Sequence, residues 1–394
     1  MTLWIGFLLA IILLLVLSRR DLALGMGVAT ITLAVFTLSL GGFGAALRAA
    51  FTDPSVCLLA LVVGTIPVIG GLLERFGEMD RLVSNLRIGI RPFLVLAPAL
   101  VGMLPMPGGT LLSAPMIERG AGHAPADLKA AVNVWFRHTL LPVYPLGAAL
   151  IASAKVAGFQ VYDVIPAMTP VFLLSLLLGY VFLLRRIDGQ LVRLGPFSLA
   201  GLLVPLSVIL IAPLIDLVLK YTVALPYTEI GTAAGVLSSL VLAIAICRPS
   251  GRELRSVILK AKPWKFAAII LAMFAFLEVF QASGLPDRIA AMTLPPLVLC
   301  VVIGFALGLI TGRIQAPMAI VVPIYISTYG SFSTAAFAVT FYAVFLGFIL
   351  TPIHPCVSVS LEYFKTPLSS FLWRLAGPAI VGLGAALLVG RFVL

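Results

Sequence analysis

The chain has 394 residues, 61% hydrophobic and only 10% charged, with a mean hydropathy of +1.17. A soluble protein carries about 25% charged residues, so this composition excludes an ordinary soluble domain and implies an all-α polytopic membrane protein. The net charge of +11 raises nucleic acid as a partner, and the placement of the charges argues against it.

Apolar runs of spanning length, about 20 residues each, fall near 2–18, 21–42, 54–74, 128–154, 161–184, 197–219, 228–247, 265–283, 333–357 and 368–391. The start, Met1-Thr2-Leu3-Trp4, has no positive region, and Arg19-Arg20 follow the first run, so that run reads as an uncleaved span. Between the third and fourth runs lies 92–121, centred on Leu104-Pro105-Met106-Pro107-Gly108-Gly109-Thr110. Prolines and paired glycines cannot continue a helix there, and its arms are too short to span. Non-helical backbone at membrane depth survives only where it is buried in protein or lines a wet cavity. The segment therefore reads as a re-entrant hairpin, and 294–330, centred on Thr311-Gly312-Arg313, reads the same way. Segments 78–91 and 285–293 mix charged and apolar residues at helical spacing, as surface helices do, or else are ordinary polar loops.

With the N-terminus outside, ten spans and two hairpins put 19 of the 26 Lys and Arg on the cytoplasmic side and 5 outside. Arg137 and Arg313 remain within the membrane. That bias satisfies the positive-inside rule and leaves the C-terminus outside as well. The basic run at 248–265 is then an orienting loop rather than a nucleic-acid site. The four cysteines, Cys57, Cys247, Cys300 and Cys356, have no CxxC spacing and read as small buried hydrophobes.

The two halves repeat. Leu73-Glu74-Arg75-Phe76 matches Leu277-Glu278-Val279-Phe280, Asp80-Arg81 matches Asp287-Arg288, and Ala114-Pro115-Met116 matches Ala316-Pro317-Met318. Leu141-Pro142-Val143-Tyr144-Pro145 matches Thr351-Pro352-Ile353-His354-Pro355. Each half holds five spans plus one hairpin, with a broken span after the hairpin. An odd number of spans makes this an inverted-topology repeat.

The candidate binding residues follow from the breaks. Gly108 and Gly109 allow close backbone approach, and Thr110 and Ser113 cap the returning arm, whose free N–H groups favour an anion. Thr311, Gly312, Arg313 and Gln315 form the second break. A lone arginine at that depth is costly, so Arg313 calls for a wet cavity, an acidic partner or an anionic substrate. Asn133 and Arg137, spaced i, i+4, share a helix face beside His138 and Thr139. Thr351 and His354 are their counterparts. His138 and His354 are structural hydrogen-bonders or proton carriers. Glu74 and Glu278 are interfacial charges, partners of Arg75 or Arg288, or proton carriers. Asp216 and Glu229 read as interfacial, and Gly231-x-x-x-Gly235 as an internal or dimer contact. Enzyme signatures such as HExxH, GxSxG, Walker A and GxGxxG are missing, and no cofactor is expected beyond a coupling ion.

This order of spans, surface helix, hairpin and broken span, repeated inverted, resembles the ion-transporter superfamily of divalent-anion/sodium symporters and citrate, gluconate and lactate permeases. The Pro-Met-Pro-Gly-Gly-Thr and Ala-Pro-Met elements look most like an uncharacterised ten-span prokaryotic membrane family within it. The symporters' Ser-Asn-Thr tip signature is absent here. The resemblance implies scaffold parts at 1–91 and 191–293, and moving transport parts at 92–190 and 294–394. It also implies a homodimer formed through the scaffold spans and an elevator motion. The expectation is a secondary active transporter of a small organic anion in the cytoplasmic membrane of a prokaryote, driven by H+ or Na+. The competing expectation is a membrane-embedded enzyme or lipid-handling protein using the same polar cavity.

Overall fold

The computed structural model describes residues 2–18, 20–104, 109–188, 196–291 and 294–394. Arg19, Arg193 and the tip at 105–108, which includes Gly108, lie outside the described residues. All regular structure among those described is helical. The first half runs α1 (Thr2–Leu17), α2 (Leu22–Thr37), α3 (Leu40–Thr52), α4 (Pro54–Arg75), α5 (Glu78–Ser84), α6 (Ile90–Met103), α7 (Gly109–Gly120), α8 (Ala126–Arg137), α9 (Ala148–Val156) and α10 (Val161–Gly179). The last continues as a π-helix through Tyr180–Leu184. The second half runs α11 (Leu199–Thr222), α12 (Glu229–Cys247), α13 (Gly251–Ala261), α14 (Pro263–Ala282), α15 (Leu285–Ala290), α16 (Gly304–Thr311, entered through a π-helix at Val298–Ile303), α17 (Gln315–Tyr329), α18 (Thr334–Leu350), α19 (Pro355–Phe364) and α20 (Leu368–Val393).

Seven helical stretches are long and apolar enough to cross a membrane, from Pro54–Arg75 to Leu368–Val393, and shorter apolar helices accompany them. The chain is a multi-pass membrane protein. Burial sorts the spans. In the most apolar window, 83% of Thr334–Phe364 is buried, against 28% of Leu199–Thr222 and of Leu368–Val393. The last two therefore present leucine, valine and phenylalanine to lipid, and α18 is interior.

Local chemistry sets the helix ends. Asp53 accepts from the Ser55 N–H at 2.8 Å, and Pro54 occupies the first turn of α4, where its missing N–H costs nothing. Pro263 opens α14 in the same way, after a capping box of Ser250 and Glu253 opens α13. The 128–154 run is interrupted as expected: α8 ends at His138, a run of turns carries Pro142 and Pro145, and α9 resumes at Ala148. The 333–357 run breaks at 351–354, before Pro355 restarts it as α19. Of the 78–91 segment Glu78–Ser84 is a helix, and Ile90 and Arg91 begin α6.

α2 packs on α14 and α12 on α4, while α4 packs on α14. The last pair is antiparallel. A Cβ built on Gly64 would stand 3.2 Å from the Pro263 carbonyl oxygen, and one on Gly71 would meet Val257. Small residues let backbones approach this closely. Gly231 and Gly235 do so within the chain, where Gly235 abuts the Ala212 carbonyl of α11, so this motif is an internal contact.

Asp216 and Glu229, expected to be interfacial, lie near the ends of α11 and α12 and are buried and paired. Asp216 binds Lys220 at 3.0 Å and accepts from Thr232 at 3.0 Å, and Glu229 binds Lys155 at 2.7 Å. Glu74 pairs with neither Arg75 nor Arg288. It faces Lys260 of α13 at 3.5 Å, while Arg75 turns to Glu253 at 3.8 Å, because α13 lies across the end of α4. These two pairs and Lys265–Asp21 all join residues expected on the cytoplasmic side, and the Lys155 and Lys220 pairs join residues expected outside.

Candidate functional site

The two broken spans meet at their breaks. α8 and α19 run antiparallel: Asn133 Nδ2 donates to Ser360 Oγ at 3.0 Å, and further along His138 faces His354 with ring centroids 4.7 Å apart. His138 is the C-cap of α8 and His354 the N-cap of α19. The carbonyl end of one half-helix therefore adjoins the N–H end of the other, pairing a partial negative pole with a partial positive one inside the protein.

The second predicted break packs against the same point. Gly312 takes φ +60, and a Cβ there would stand 3.0 Å from the His354 backbone nitrogen. Only glycine fits both that conformation and that approach. Thr311 Oγ1 donates to the Leu307 carbonyl at 2.7 Å and accepts from the Arg313 N–H at 3.2 Å, which holds the corner. Thr351 is buried and accepts from the Ile353 N–H at 3.4 Å. Arg313 is half-buried, and among the described residues no carboxylate lies within ion-pair distance of it. Gln315 opens α17 beside it.

On the other side, the Arg137 carbonyl abuts Gly102 of α6, and the Arg137 guanidinium reaches Ser113 Oγ on α7 at 3.5 Å. Thr110 and Ser113 are buried, but Ser113 is a turn inside α7 and donates to the Thr110 carbonyl at 3.2 Å. It does not cap the helix start as expected, because α7 already begins at Gly109. Thr139 is also buried and donates its hydroxyl to the Trp135 carbonyl at 3.1 Å, which uses its one donor.

The structure thus brings together Asn133, Arg137, His138, Gly312 and His354, with Ser113, Thr311, Arg313 and Thr351 around them. Glu74 and Glu278 stand elsewhere, on the α4–α14 pair. Cys356, Ser360 and Phe348 were missed. Phe348 stacks on His354 with centroids 3.9 Å apart and meets His138 edge-on at 5.3 Å. Cys356, read from sequence as a small hydrophobe, belongs with the two histidines: one ligating atom from each lies within 4.8 Å of the others. The signal available was its position two residues after His354 and one after Pro355, at a break rather than inside a span.

Residues 2–392 match the family model described as "Protein of unknown function (DUF401)". No curated protein matches the chain.

Proposed function

The chain belongs to the DUF401 family of proteins of unknown function, so its activity must be read from its own residues, and we propose that it is a secondary active transporter for a small organic anion. The observation that carries this is the meeting of two interrupted helices, with their opposed ends and a half-buried arginine at one point. Discontinuous helices of this kind bind substrate and coupling ion in transporters. Arg313 keeps its charge at any working pH and offers paired donors that match a carboxylate. The N–H end of α19 adds a second attraction for negative charge.

A repeated, inverted construction would supply alternating access, and each half contributes ten α-helices. Packing partners exchange between halves: α2 on α14 and α12 on α4, α3 on α14 and α13 on α4, α10 on α18 and α20 on α8. Gly77 and Gly284 both take a left-handed conformation, φ +72 and +70, at the starts of α5 and α15. The corresponding helices α4 and α14 are antiparallel, as an in-plane two-fold requires. On this view α6–α7 and α16–α17 are re-entrant hairpins opening to opposite sides. The transport parts are 92–190 and 294–394, and the scaffold parts pair as a homodimer in a prokaryotic cytoplasmic membrane with both termini outside. Carbonyls freed in the 138–147 break would hold Na+, or His138 or His354 would carry H+.

A thermal-shift screen of purified protein against mono- and dicarboxylates, with and without sodium, tests this. A ligand at 100 times its Kd stabilises by about 2.7 kcal/mol. Stabilisation by an organic acid that disappears in Arg313→Gln supports the proposal. Stabilisation by neutral analogues as strong as by the acids overturns it.

A further inference from the structure

We infer that His138, His354 and Cys356 form a binding site for a single thiophilic transition-metal ion of the zinc(II) or copper(I) class, joining the broken span of one half to that of the other. The proposal goes beyond transport and does not rest on it. It also removes the two histidines from the set of proton carriers.

The donor set is the first ground. Two imidazoles and one thiol come together from positions 138, 354 and 356, with one ligating atom from each inside a 4.8 Å spread. Around one ion, metal–nitrogen bonds of about 2.0–2.1 Å and metal–sulfur bonds of about 2.3 Å place donors about 3.3–3.6 Å apart. Side-chain shifts of about 1 Å close the difference. A nitrogen–sulfur set suits zinc and copper, whereas magnesium and calcium want oxygen.

The state of the two rings is the second ground. His138 Nδ1 lies 2.7 Å from the Val134 carbonyl, an oxygen that can only accept. The proton is thereby fixed on Nδ1, and Nε2 keeps its lone pair. Metal-ligating histidines are held in this way, with the other ring N–H given to a carbonyl. His354 is 5% exposed, and among the described residues its Nδ1 is buried with no hydrogen-bond partner. An imidazole nitrogen left so is costly unless something binds it. Phe348, stacked on one ring and edge-on to the other, fixes both orientations and keeps bulk water off.

The field and the path in are the third ground. α8 ends at His138, and α16 ends at Gly312, which abuts the His354 backbone. These two carbonyl ends favour a cation and the N–H end of α19 opposes it, so the negative charge that holds the metal comes from the Cys356 thiolate. Cys356 is half-buried and Pro355 exposed, so an ion can reach the cluster. On binding, the Cys356 thiol releases its proton to solvent and ligates as thiolate.

Cobalt(II) titration of the full chain tests the site, in a Cys57→Ser background because Cys57 is exposed and would compete. One equivalent is expected to produce a thiolate-to-cobalt charge-transfer band, displaced by zinc(II) or copper(I); the tighter competitor names the ion. Cys356→Ser should abolish the band, and His138→Ala or His354→Ala should weaken binding at least about tenfold. Cys300→Ser, away from the cluster, should leave it unchanged. Should a ligand variant fail to fold, alkylation of Cys356 in otherwise intact protein gives the second readout. Metal should slow it at least about tenfold and a chelator should restore it. A band that persists in Cys356→Ser, no metal uptake by the parent protein, or an alkylation rate indifferent to metal overturns the proposal.

Discussion

The α11–α12 end and the broken spans handle buried polarity in opposite ways. At the α11–α12 end, Lys220 is satisfied by Asp216 and by Thr232 at 3.1 Å, and nearby Lys155 is held by Glu229 and by Ser55 at 2.6 Å. At the breaks, Asn133 Oδ1 and His354 Nδ1 are buried without partners among the described residues, and Arg313 has no carboxylate in reach. A buried polar group left unsatisfied costs about 1–3 kcal/mol. One region therefore closes its polar groups on one another, which is what stability asks. The other leaves them open, which is what a ligand site asks.

The largest effect is expected where the closed region is broken. Asp216→Ala strands Lys220, whose side chain is 11% exposed, and should destabilise by about 3–5 kcal/mol. Adding Lys220→Met should recover most of that loss, because no uncompensated charge remains. Chemical denaturation in detergent measures both. An Asp216→Ala protein as stable as the parent would erase the contrast between the regions.

In the open region the expectation reverses. Arg313→Gln should weaken the binding of an organic acid at least about tenfold, or about 1.4 kcal/mol, and leave the melting temperature nearly unchanged. Arg313→Lys keeps the charge but loses the fork and should fall between. Unchanged affinity with a large fall in melting temperature would make Arg313 a structural residue and sink its recognition role.

The helical, multi-pass character of the chain was legible because its causes are local. Apolar runs, Pro54, Pro263 and the prolines at 142, 145, 352 and 355 state where helices start, stop and break. The site was legible only in part. Arg137, His138, Arg313 and His354 stand out because a polar residue in an apolar run is rare. Cys356 does not, since a cysteine is apolar enough to belong there. Its significance appears only when the fold brings it to His138, more than two hundred positions away. The same limit explains Glu74: its partner Lys260 is 186 residues distant, and proximity in sequence favoured Arg75. Ser113 was misread as a cap because the start of α7 cannot be fixed from the Pro-Gly pattern to within a turn.

The smallest effects sharpen the comparison between halves as well as between regions. Gly77 and Gly284 precede α5 and α15 in left-handed backbone, and a Cβ at either would meet nothing within 4 Å. Alanine at each therefore bears only the conformational cost, about 1 kcal/mol, and the two costs should agree if the halves are equivalent. Gly312 has a similar φ, but its Cβ would press on the His354 nitrogen and on the Ile353 carbonyl carbon at 3.2 Å. These are backbone atoms that cannot swing aside. Gly312→Ala should accordingly cost more than either surface variant. It should also disturb cobalt binding at His354, which the surface variants should leave intact. Denaturation midpoints of the three proteins decide the matter. A Gly77→Ala cost differing from Gly284→Ala by more than about 1 kcal/mol would count against equivalent halves. A Gly312→Ala cost no larger than theirs would mean that the second break is not wedged against the meeting point of the broken spans.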